Sequence, residues 1–124
     1  MPVSRRTCTH VLLVDSDASV RRALARSMRL AGFSVETFAT VEALLACEAS
    51  VQDACLVLDV DLPGIGGIAF KEMLIASGHD RPTIFLSSSG HERLDARLHP
   101  VAVLQKPFTS EKLLETLARA IASD

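Results

Sequence analysis

The sequence predicts an α/β fold: a parallel sheet of five strands with helices on both faces. Three observations carry that expectation. Short apolar runs at 11–14 (VLLV), 54–58 (ACLVL) and 83–86 (TIFL) are continuous rather than alternating, as in strands buried on both faces. Segments with apolar residues at helical spacing stand between them. The two kinds of segment alternate along the chain, the pattern of a parallel sheet joined by helical crossovers.

Taken in order, the run at 11–14 ends on Asp15. Val20, Leu24, Met28 and Ala31 then recur at intervals of 4, 4 and 3, which predicts a helix. Arg21, Arg22, Arg26 and Arg29 fill its solvated side, and Gly32 is its stop. Residues 34–38 make a short second strand, with Val35 and Phe38 as its bulky members. Thr40 has the character of an N-cap for a short helix carrying Val41, Leu44 and Leu45. The run at 54–58 ends on Asp59, and Pro63, Gly64, Gly66 and Gly67 mark a loop. Phe70, Met73 and Leu74 belong to a helix running to about Ser77, with Gly78 as its stop. The run at 83–86 ends on Ser87. Residues 91–98 make a short fourth helix, anchored by Leu94 and Leu98 and cut by Pro100. Residues 101–104 are the fifth strand. After Pro107, Thr109 or Ser110 caps an amphipathic last helix with Leu113, Leu114, Leu117 and Ile121.

Composition bounds what such a fold can do. The chain has 124 residues, 48% of them hydrophobic, which suits one domain over 1–124 with 1–9 as an N-terminal extension. The net charge of −2 argues against direct nucleic-acid binding, and the absence of Trp and Tyr argues against a base-stacking surface. No apolar run approaches the roughly 20 residues of a membrane span. Nothing behind Arg5 and Arg6 has the form of a secretion signal, so a cytoplasmic location without membrane contact is expected. Cys8, Cys47 and Cys55 contain no CxxC pair and are expected as reduced thiols. The four histidines lack zinc-ligand spacing.

The candidate site lies where the strands end. In open parallel sheets, ligands bind outside the carboxyl ends of the strands, where strand order reverses. Asp15, Asp59 and Ser87 end three of the runs here, and Lys106 follows the fifth strand. Asp15, Asp17, Asp59 and Asp61 would crowd carboxylates into one crevice, which needs a cation, and oxygen ligands favour Mg²⁺. A carboxylate held in this way is suited to attack phosphorus, with a lysine and a hydroxyl to neutralise the phosphoryl oxygens.

Four motifs carry a resemblance: Val14-Asp15-Ser16-Asp17, Leu58-Asp59-Val60-Asp61-Leu62-Pro63-Gly64, Phe85-Leu86-Ser87-Ser88-Ser89-Gly90 and Gln105-Lys106-Pro107-Phe108. In order and spacing the chain resembles, over nearly its whole length, the receiver domain of two-component response regulators. Its Leu-Pro-Gly loop and Lys-Pro-Phe resemble most the nitrogen-fixation and nitrate-type transcription regulators. The resemblance implies a flavodoxin-like, doubly wound sheet of order 2-1-3-4-5. It implies Asp59 as phosphoacceptor, fed by a sensor histidine kinase or phosphotransfer protein, with no enzyme activity beyond self-phosphorylation and autodephosphorylation. It implies Asp15, Asp59 and the carbonyl of Asp61 as Mg²⁺ contacts, and Ser87, Ser88 and Lys106 as phosphoryl-binding or switch residues. A cis Lys106-Pro107 bond and homodimerisation through 91–98, the fifth strand and the last helix are also implied. That face would carry Arg93, Arg97, Val103, Lys112 and Glu115.

Three departures stand out. Ser16 occupies the family's usual second acid position, so metal binding is expected to be weak. Ser87 and Lys106 are closer in sequence than usual, which trims the fourth helix or its loop. Val103 stands where a switch aromatic is usual. Ser16 and Val103 also suit an alternative, a pseudo-receiver that binds partners without phosphorylation. A second alternative is a haloacid-dehalogenase-type phosphatase, with Asp15 as nucleophile and Asp17 as acid/base.

Overall fold

The computed structural model describes residues 10–47, 51–88 and 96–123. Five strands, β1 (His10–Val14), β2 (Ser34–Phe38), β3 (Ala54–Asp59), β4 (Thr83–Ser87) and β5 (Ala102–Gln105), form one parallel sheet of order β2-β1-β3-β4-β5. The α-helices among the described residues are α1 (Ala18–Leu30), α2 (Val41–Ala46), α3 (Gly67–Ala76) and α4 (Ser110–Ser123). Of the helix expected over 91–98, only Ala96–Leu98 lies within the described residues, and it is a 3₁₀ turn with Leu98 buried.

The central strands are apolar for a physical reason. β1, β3 and β4 are covered on both faces, so nearly every residue in them is buried. Alternate residues feed two separate cores. Leu13, Val57 and Leu86 face α1 and α4 with Leu24, Met28, Leu113 and Leu117. Leu12, Leu56, Leu58 and Phe85 face α2 and α3 with Val41, Leu44, Phe70 and Leu74. β2 and β5 are the edges, and only one residue of each is buried.

The caps follow the sequence signals. Thr40 Oγ1 accepts from Ala43 N at 3.0 Å, and Thr109 Oγ1 accepts from Lys112 N at 3.0 Å, which settles the cap of the last helix on Thr109. Gly32, at φ 101, turns the chain just beyond α1.

Polarity alone misplaced some side chains. Leu45 and Met73 point to solvent, whereas Lys71 is buried at the far end of the sheet from the candidate site. Lys71 Nζ donates to Asp80 Oδ1, to Arg81 O and to Thr83 Oγ1, so all three of its donors are used. Cys55, buried in β3, is disulfide-bonded, which corrects the expectation of reduced thiols; Cys47 is free and exposed.

Candidate functional site

Parallel register brings the polar strand ends together. Val14 pairs with Leu58, Asp59 with Leu86 and Ser87 with Gln105, so Asp15, Asp59, Ser87 and Lys106 share the carboxyl end of the sheet. Asp15 and Ser87 are fully buried and Asp59 nearly so, whereas Lys106 is half-buried. A single ammonium joins the two acids: Lys106 Nζ lies 2.8 Å from Asp15 Oδ2 and 3.2 Å from Asp59 Oδ2. The Lys106-Pro107 bond that follows is cis, as expected.

The other carboxylate oxygens are held by backbone amides. Asp17 N donates to Asp15 Oδ1 at 2.9 Å, and Asp61 N donates to Asp59 Oδ1 at 3.0 Å. These amides fix the orientation of both acids and leave Oδ2 of each directed at the ammonium. Asp15 Oδ2 makes its ion pair without an aligned hydrogen bond. A buried oxygen in that state favours a cation beside it.

Charge crowding perturbs the pocket. Burial is the main cause that raises the Asp59 carboxyl above its ordinary pKa, and the neighbouring Asp15 charge adds to it, while the Asp61 amide and Lys106 oppose it. Lys106 is pulled the other way by its own burial, yet its contacts with Asp15 and Asp59 outweigh that and raise it.

Not every expected residue joins the cluster. Asp17 is exposed, and its Oδ1 accepts from Ser19 N and Val20 N as the N-cap of α1. That use of its carboxylate disfavours the phosphatase reading, which needs Asp17 as an acid/base beside Asp15. Ser16 is exposed. Asp61 is exposed at the rim, where its Oδ2 accepts from Ser88 Oγ at 3.1 Å. Val103 is 40% exposed on the edge strand, and Arg97, Lys112 and Glu115 are each exposed; Arg93 lies outside the described residues. Sequence reading missed Glu42, whose Oε2 accepts from Ile65 N at 3.0 Å. No local pattern advertises a contact across 23 residues.

The response regulator receiver domain model matches residues 11–118. The transcriptional regulatory protein TdiR of Thauera aromatica is 31% identical over 115 residues, 90% of this chain and 51% of that protein. The transcriptional regulatory protein FixJ of Bradyrhizobium diazoefficiens is 30% identical over 115 residues, covering 90% and 56%. The solved structure of the response regulator StyR superposes with a TM-score of 0.84 at 34% identity, covering 92% of this chain and 59% of that one. The chain thus spans about half the length of the curated relatives it matches. A match over 11–118, carried on a sheet of order 2-1-3-4-5, shows that the chain belongs to the receiver domains of two-component response regulators.

Proposed function

We propose that Asp59 is the phosphoacceptor of this receiver domain and that a histidine kinase or phosphotransfer protein supplies the phosphoryl group. The observation that carries the reading is the Lys106 ammonium, set between the Asp15 and Asp59 carboxylates at the end of the central strand. One Asp59 carboxylate oxygen forms the new P–O bond as the P–N bond to the donor histidine breaks, and the imidazole leaves with the electron pair. Lys106 then follows the charge from the carboxylate to the phosphoryl oxygens, an interaction that strengthens as the phosphoryl group transfers. The hydroxyls of Ser87 and Ser88, at the adjacent strand end, complete the phosphoryl site.

Receiver domains generally bind Mg²⁺ at this pocket. The residues present fit such an ion in kind, since the buried Asp15 and Asp59 carboxylates offer hard oxygen ligands at one end of the sheet. The carbonyl of Asp61 would be a third contact. Among the described residues no three carboxylate, imidazole or thiol groups are placed to hold an ion, and Ser16 adds no charge. With Ser16 at the second acid position such an ion would be held weakly, and it would supply charge neutralisation at the phosphoryl oxygens.

The phosphorylated domain signals through the face of Arg97, Val103, Lys112 and Glu115, by pairing with a second copy. No described helix is long and apolar enough to cross a membrane.

Incubation with acetyl phosphate and Mg²⁺, followed by intact-mass measurement, tests the assignment. Wild type gains one phosphoryl group, and Asp59→Asn gains none. Equal labelling of the two proteins would place the acceptor elsewhere, and no labelling of wild type would favour a pseudo-receiver.

A further inference from the structure

The loop from 60 to 66 leads out of Asp59 and carries Asp61, whose amide orients the Asp59 carboxylate. Its near end is fixed by Val60 N, which donates to Leu86 O at 2.8 Å. Among the described residues its far end has no such strand partner, and Gly66 caps α3 without a side-chain hydrogen bond. The contact that fastens this half of the loop comes from another element. Glu42, in the first turn of α2, reaches across and accepts from Ile65 N.

The loop is shaped around that carboxylate. Gly64 has φ 72, a conformation that disfavours any side chain, and a Cβ there would collide with Glu42 Oε2. The glycine gives the turn and also the space in which the carboxylate lies. On the other side of the loop, a Cβ at Gly67 would strike Asp59 O, so the start of α3 is packed directly on the backbone of the acceptor residue. Ile65 therefore lies two residues from a position packed directly against the Asp59 backbone.

We propose that Glu42 is a positioning residue for phosphoryl transfer: it clamps the loop after Asp59 and so holds the Asp61 amide on the acceptor carboxylate. The transfer part of this rests on Asp59 being the acceptor; the clamp itself does not. A competing account is that Glu42 serves only α2, since an acid in a first turn favours the helix dipole. The two accounts differ in what the contact requires. The clamp needs an acceptor oxygen of the right reach, whereas the dipole needs a negative charge.

Glu42→Gln keeps the oxygen and loses the charge, and Glu42→Ala loses both. Two readouts apply to each variant: the rate of phosphoryl uptake from acetyl phosphate, and amide hydrogen exchange at Ile65 and Asp61. For Glu42→Ala we expect uptake slowed by roughly fivefold, the scale of one lost ordinary hydrogen bond. Exchange at both amides should rise. Glu42→Gln should restore the uptake rate and the protection of both amides. The clamp is overturned if Glu42→Ala leaves the Ile65 or Asp61 amide as protected as in wild type, or if Glu42→Gln is as defective as Glu42→Ala. Wild-type uptake at Asp59 is the control for the acceptor assignment. If wild type is not labelled, that assignment fails, and exchange at the Asp61 amide alone decides whether Glu42 positions the loop.

Discussion

At the scale of single residues, the candidate site is an arrangement that the fold tolerates at a cost. Asp15 and Asp59 are both buried, and one ammonium serves both. The raised pKa of Asp59, caused first by burial and then by the Asp15 charge, fixes the sign of its effect on stability. The folded state binds the Asp59 proton more tightly than the unfolded chain does. Its contribution therefore becomes more favourable as pH falls through the raised pKa, and at neutral pH the ionised group destabilises the fold. Lys106 has the opposite sign. Its raised pKa means a stabilisation that is fully present at neutral pH and lost only in the alkaline range, as pH rises through the folded pKa. Asp59→Asn should accordingly stabilise the protein at pH 7 by about 1 kcal/mol, with the gain fading in acid. Lys106→Met, which leaves both carboxylates without a counter-charge, should cost about 3 kcal/mol. Urea denaturation of both variants across pH checks the two signs; a destabilised Asp59→Asn at pH 7 would contradict them.

At the scale of elements, α3 shows how a helix can bury the residue that a polarity pattern would leave outside. Lys71 lies against the sheet with its ammonium saturated by Asp80, Arg81 O and Thr83 Oγ1, while Met73 on the same helix is exposed. The lysine stem packs like an aliphatic side chain, and the head ties α3 to the segment that leads into β4. Asp80 remains accessible to water, so losing its partner costs less than for a fully buried pair. Lys71→Met keeps most of the packed volume and should cost about 1 kcal/mol, whereas Lys71→Ala also opens a cavity and should cost about 3 kcal/mol. Chemical denaturation separates the two; equal losses would mean that the ammonium, and not the stem, carries the interaction. The same element scale accounts for the loop after Asp59, where a glycine at positive φ and a glutamate from α2 are one feature seen from two segments.

At the scale of the molecule, the sheet divides two cores that share no side chain. Leu117→Ala, on the α4 side, and Leu44→Ala, on the α2 side, should each cost about 3 kcal/mol, and the double variant should cost their sum to within about 0.5 kcal/mol. A single cooperative transition in every case would show that the sheet couples both cores into one folding unit. A marked departure from additivity would mean that strain crosses the sheet.

The parallel sheet and the Asp15, Asp59, Ser87 and Lys106 set were legible in the amino-acid sequence, because apolar runs closed by polar residues depend only on neighbours along the chain. The capping of α2 by Thr40 was legible for the same reason. Tertiary structure alone decided the rest. It buried Lys71 and exposed Met73. It also closed the contact between Glu42 and Ile65. In each case the outcome depends on which backbone amides and charges lie within hydrogen-bond reach, and folding, not spacing along the chain, sets those distances.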